Sequence, residues 1–210
     1  KLAVDCGLPP EEMLSLVKPG DRILFRPFTP GGALTLAGTR VSLPYLDNGA
    51  GVAAAVAAAK LVKDAGGRPP RIILTVQEEV GCRGAKTAAF PEELKTVIAV
   101  DTTFASAPGV SEEESAAPGS GARIGFSPIL NAVLSKKLVR AAEENGIPYT
   151  VEVMGRATGT DADSVGIVGS GRIAGLVSIP IRNMHTPVEV VDLKDVEAAA
   201  ALLAAATRNA

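Results

Sequence analysis

Arg71-Ile72-Ile73-Leu74-Thr75-Val76-Gln77-Glu78-Glu79-Val80-Gly81 is an apolar, β-branched run that ends in two adjacent carboxylates. Its length and composition predict a strand over 71–77, and a strand that stops at paired acids presents them at the rim of a sheet. Adjacent carboxylates repel, and each raises the other's cost of ionising. A bound cation removes that cost. The pair therefore suggests one metal ligand and one general base. Solvated charges where a strand emerges would read the same way.

Three further positions extend the pattern in chain order. Asp47 begins Asp47-Asn48-Gly49 ahead of an alanine-rich stretch, Asp101 closes Thr96-Val97-Ile98-Ala99-Val100, and His185, the only histidine, follows Leu176-Val177-Ser178-Ile179-Pro180-Ile181. Each has a plainer reading: a helix-capping turn for Asp47, a capped turn for Asp101, and a structural imidazole for His185. Taken together, acids and a histidine at the ends of successive apolar runs follow the ligand order of a two-metal hydrolase. In open α/β sheets, ligands bind at the carboxyl ends of the strands.

Around these positions the chain divides in two. Residues 1–44 are punctuated by Pro and Gly and strand-like, with 1–7 reading as a strand entered midway, a turn at Val17-Lys18-Pro19-Gly20-Asp21, and runs at 22–26, 33–36 and 40–43. This part is expected to belong to a small β-rich inserted domain. From 45 to 210 strands alternate with helices, which predicts an α/β fold with a mostly parallel sheet covered on both faces. Helices are expected over 49–63, 131–145 and 192–207, the last capped by Asp192 with Asp195 in its first turn. Strands are expected over 71–77, 97–101, 123–126, 149–153 and 174–180.

Composition bounds the function. The chain has 210 residues, 47% hydrophobic and 21% charged, enough to bury a substantial core in one ordinary domain. A net charge of −2, no Trp, two Tyr and five Phe leave little material for tracking phosphates or stacking bases, so nucleic acid is not an expected partner. No apolar stretch reaches the roughly 18 residues needed to span a bilayer. A soluble, cytoplasmic protein without membrane contact is expected. Cys6 and Cys82 are too few for a disulfide framework and read as small, largely buried residues.

Five motifs carry a resemblance. Leu46-Asp47-Asn48-Gly49-Ala50-Gly51, Thr75-Val76-Gln77-Glu78-Glu79-Val80-Gly81 with Arg83-Gly84-Ala85, Val100-Asp101, Gly159-Thr160-Asp161-Ala162, and Ile179 through Val191 around His185 occur in order along essentially the whole chain. The chain thereby resembles the tetrahedral aminopeptidases, a family of glutamyl, leucyl, lysyl and deblocking enzymes, some of which have been labelled endoglucanases.

The resemblance implies two divalent ions, zinc or cobalt, and roles for individual residues. Asp47 corresponds to the carboxylate shared by both ions, with its peptide bond to Asn48 held cis. Glu79 and His185 complete the first site, Asp101 belongs to the second, Glu78 is the general base, and Asp161 has a supporting role. It also implies peptide substrates and a homo-oligomer.

The departure from the family lies at the front. Members supply a second histidine from a His-x-Asp element upstream, and His185 is the only histidine here. The chain is therefore expected to correspond to the C-terminal two-thirds of an aminopeptidase, lacking the first strands and part of the dimerisation domain. The alternative of another class is a non-catalytic, truncated metal-binding remnant or assembly subunit with the same fold. A glycosidase is disfavoured, because adjacent strand residues point to opposite sides and make a poor acid pair about a sugar bond. The pocket for the substrate side chain is expected to draw on 102–122 and 154–161, with Arg156 and Arg182 as candidates for holding an acidic group.

Overall fold

The computed structural model describes residues 7–23, 33–91 and 93–208. The strand readings over 1–6 and over 24–26 lie outside them. The chain runs through α1 (Pro10–Leu16), β1 (Leu34–Thr35), β2 (Arg40–Ser42), α2 (Leu46–Asp64) and α3 (Arg83–Ala88). It continues through β3 (Thr96–Phe104), β4 (Ala122–Phe126), α4 (Ala132–Glu144), β5 (Tyr149–Val153), α5 (Asp161–Val165), β6 (Ile173–Arg182), β7 (Val190–Asp192) and α6 (Leu193–Thr207).

β6 organises the sheet. Its odd positions Val177, Ile179 and Ile181 enter one apolar cluster, and Ala174 and Leu176 enter another on the opposite face. A strand covered on both faces has to be apolar throughout. β3 lies parallel to it in continuous register from Thr96 opposite Ile173 to Phe104 opposite Ile181. Along the other flank β4 and β7 pair antiparallel, at 177–178 and 181–182 respectively. Pro180 falls between those two pairings, where its missing N–H costs no ladder bond. β5 extends the sheet parallel to β4, and β2 and β1 extend it antiparallel beyond β7. The fold is thus α/β with helices on both faces, but the sheet is mixed: among the described residues, only the β3–β6 and β4–β5 strand pairs are parallel.

Helices α2, α4 and α6 cover one face. Ala50, Ala54, Ala58 and Val62 form one ridge of α2, and with Ala199, Leu202 and Leu203 of α6 and Leu138 of α4 they close over Ile124, Val177 and Ile179. Alanines four residues apart let α2 approach its neighbours closely, which accounts for the alanine content of both long helices. The short helices α3 and α5 meet on the other face through Cys82, Ala85, Ala89 and Val165.

Two expected strands differ. Residues 71–76 form no ladder among the described residues, and Leu74 and Val76 are 61% and 67% exposed. β-Branched alternation reports an extended backbone, whereas pairing needs a neighbouring strand, and no described strand lies beside this one. Conversely, the strand expected to stop at Asp101 continues to Phe104, because β6 supplies partners that far. Asp101 is therefore interior to β3.

Asp192 caps α6 by accepting the Lys194 N–H (3.1 Å). Asp195 does more than sit in the first turn. It is 0% exposed, and its two oxygens accept the N–H groups of Gly119 and Gly121 at 2.8 and 2.7 Å, tying down the 105–121 loop. Burial raises its carboxyl from 3.8 to about 6. Between those values the folded protein holds a proton that the unfolded chain has released. This contribution to stability is complete below about pH 4 and disappears as pH rises through about 6. Denaturant titrations from pH 4 to 7 are expected to fall more steeply for the wild type than for Asp195→Asn, by about 2–3 kcal/mol. Parallel curves would disprove it.

Candidate metal centre

Asp47 is placed by the entry into α2. Tyr45 takes a positive φ of 66° as the cap residue, makes no side-chain cap bond, and the backbone departs from helical angles at Asp47 and Asn48. Asp47 therefore caps nothing, and its side chain is left for another use. The Asp47–Asn48 peptide bond is cis, as the resemblance implies. Asn48 fastens this entry to β3: its Nδ2 donates to the Val100 carbonyl (2.7 Å) while its Oδ1 accepts the Gly51 N–H (3.1 Å). A Cβ on Gly51 would lie 2.1 Å from Asn48 Oδ1 and 2.9 Å from Val100 O. Gly51→Ala is expected to destabilise the protein by about 1–3 kcal/mol through this overpacking and to lower its melting temperature. An unchanged melting temperature would contradict the tight contact.

Glu78 and Glu79 stand in a turn, not a strand. Gln77 has φ 61°, and the N–H groups of Gly81 and Cys82 return to the Glu78 carbonyl at 3.0 and 2.9 Å. The turn still sends the two carboxylates apart. Glu79 reaches His185, with Oε1 3.3 Å from Nε2. Glu78 joins Cys82 and Asp161, with the Cys82 thiol 3.7 Å from its Oε1. Burial raises the Glu78 carboxyl above its ordinary value, and the charges of Glu79 and Asp161 raise it further. Burial also pushes the Cys82 thiol to about 11, so it stays neutral and donates weakly to Glu78 and to the Thr160 carbonyl. Asp161 accepts the Thr75 hydroxyl on Oδ2 (2.6 Å), and its enclosed Oδ1 has no bonding partner among the described residues.

His185 lies three residues beyond β6, in a loop where Asn183 and His185 both have positive φ. The Thr186 hydroxyl donates to the Asn183 carbonyl (2.7 Å) and Asn183 Nδ2 to that of Val188 (3.2 Å), which keeps the loop tight. The imidazole is 61% exposed, and its Nε2 stands 3.0 Å from Asp47 Oδ2. Ligand atoms 2.0–2.1 Å from a tetrahedral ion are spaced about 3.3 Å apart. The spacings of 3.0 and 3.3 Å from Nε2, in a mixed carboxylate and imidazole set, fit one divalent ion. Pro44, Tyr45, Thr186 and Pro187 line the groove around these groups.

Asp101 lies outside this trio. It is buried in β3, and its Oδ1 accepts the Thr102 N–H (2.8 Å). Burial pushes its carboxyl to about 7, and the charges of Asp47, Glu78 and Asp161 act in the same direction. A buried acid crowded by other acids favours a cation in their midst.

The two arginine candidates diverge. Arg182 donates from Nε to the Ser106 carbonyl (2.7 Å), a structural tie to the loop after β3. Arg156 is exposed, and its carbonyl accepts the Ser127 hydroxyl (2.5 Å). Glu189, within the last motif but given no role by it, accepts backbone N–H groups from both Asp47 and His185.

The model of the M42 glutamyl aminopeptidase family matches residues 1–202. The chain belongs to that family. A relative in Acetivibrio thermocellus, provisionally named an aminopeptidase, is 36% identical over 97% of this chain and 61% of its own length. Among solved structures, an aminopeptidase from the archaeon Desulfurococcus kamchatkensis superposes with a TM-score of 0.77 at 34% identity, over 85% of this chain and 51% of that one. The TET1 peptidase of Pyrococcus horikoshii, described as assembling into a tetrahedron or a large octahedral shell, gives 0.75 at 31% identity, over 95% and 58%. The chain thus spans about half to three-fifths of the length of these relatives. No helix among its described residues is long and apolar enough to cross a membrane.

Proposed function

We propose that this chain forms the metal-holding part of an aminopeptidase that removes N-terminal residues from short peptides. The observation that carries the reading is the convergence of Asp47, Glu79 and His185, from three separate segments, with carboxylate oxygens 3.0 and 3.3 Å from one imidazole nitrogen. These three would hold one divalent ion, zinc or cobalt, and Asp101 with Asp47 would hold a second. When bound, such ions polarise a peptide carbonyl and make water a better nucleophile.

The chain's own residues account for the proton transfers. Glu78 takes a proton from the attacking water on a carboxylate oxygen as the water oxygen bonds to the carbonyl carbon, then delivers it to the departing amine nitrogen when the C–N bond breaks. The neutral Cys82 thiol, donating weakly to its carboxylate, keeps Glu78 on the side away from Glu79. Residues 45–210 are the catalytic domain in this reading, and residues 1–44 belong to an inserted dimerisation domain. By analogy with the assembling TET1 peptidase, the protein is a homo-oligomer of the cytoplasm.

Hydrolysis of aminoacyl anilides tests the proposal. Activity lost to a chelator, restored by zinc or cobalt and absent on N-blocked substrates is expected. Hydrolysis indifferent to chelator would overturn it.

A further inference from the structure

We propose that Glu189 is a positioning residue, setting the distance between Asp47 and His185 through their backbone amides; this rests on the reading that those two hold a metal ion. Glu189 is 2% exposed. Its Oε2 accepts the Asp47 N–H at 3.1 Å, and its Oε1 accepts the His185 N–H at 2.8 Å. Its own carbonyl accepts the Leu43 N–H (3.1 Å), so the backbone leading into α2 is tied to the same residue.

A planar carboxylate fixes the spacing of its two oxygens. Two backbone positions far apart in sequence, each bearing a ligand, are thereby held in one frame. The positive φ of His185 gives that frame a further task, because the loop needs an external acceptor to keep its N–H turned inward. A carboxylate is required and an amide does not suffice. Glutamine offers one acceptor oxygen and turns an NH₂ group toward the second N–H, which leaves two donors facing each other. The buried negative charge behind the trio also favours a cation in front of it.

The test is cobalt affinity by competition with a chelator, together with the visible spectrum of the cobalt-loaded protein, on wild type, Glu189→Gln, Glu189→Asp and Asp195→Asn. Ligand-supporting groups of this kind are worth roughly 10–100-fold in metal affinity. Glu189→Gln is expected to lose affinity on that scale and to shift the cobalt bands. Glu189→Asp, which keeps both acceptors on a shorter stem, should fall between it and the wild type. Asp195→Asn removes a buried carboxylate that also accepts two backbone N–H groups, but away from the trio, and should leave affinity and spectrum unchanged. It controls for lost stability. If both Glu189 variants bind cobalt as the wild type does, or if Asp195→Asn weakens binding equally, the positioning role is wrong. If the wild type itself takes up no cobalt, the metal reading fails first.

Discussion

Glu78→Gln is expected to lower aminopeptidase turnover by roughly 10²–10⁴-fold, the usual worth of a positioned general base, with metal content unchanged. The separation of the two glutamates is the reason. Glu79 Oε1 stands 3.3 Å from His185 Nε2, whereas Glu78 points into the group formed with Cys82 and Asp161. An amide at 78 keeps the shape and the contact with the Cys82 thiol but cannot take a proton from water. Turnover and bound metal therefore separate in this variant. If Glu78→Gln loses metal, the roles of the two glutamates are exchanged.

His185→Ala is expected to act the other way round, losing the metal first and the activity as a consequence. Among the described residues, His185 supplies the only nitrogen in the trio with Asp47 and Glu79. Its removal leaves two carboxylates facing each other with neither an imidazole nor a full ligand set. A competition titration should show affinity reduced by well over the roughly 10–100-fold assigned to a supporting residue. The fold should survive, because the imidazole is 61% exposed and packs against little. Undiminished zinc or cobalt affinity would remove His185 from the site.

Much of this arrangement was legible in the residues, for identifiable reasons. The apolar run at 174–180 predicts a strand, and β6 forms there. The acids and the histidine stand out because each interrupts an apolar run. The run at 71–76 misleads, because side-chain pattern records an extended backbone and not its hydrogen-bonding neighbour. Asp101 misleads in the opposite sense: a charge marks the end of a strand only when it cannot be buried, and this one is buried beside other acids. Glu189 gives almost no signal. Set between Val188 and Val190, it reads as the polar face of an alternating strand, and its contacts are with backbone N–H groups, which carry no side-chain identity. The sequence signal that could have found it is its spacing, four residues after the only histidine.

The most direct test is the metal content of the protein by elemental mass spectrometry after dialysis against trace zinc and cobalt. One tightly held ion per chain is predicted, with a second held more weakly. Asp47, Glu79 and His185 supply a mixed trio, whereas Asp47 and Asp101 supply carboxylates alone. No retained ion, or retention undiminished in His185→Ala, would contradict the assignment of these residues as a metal centre.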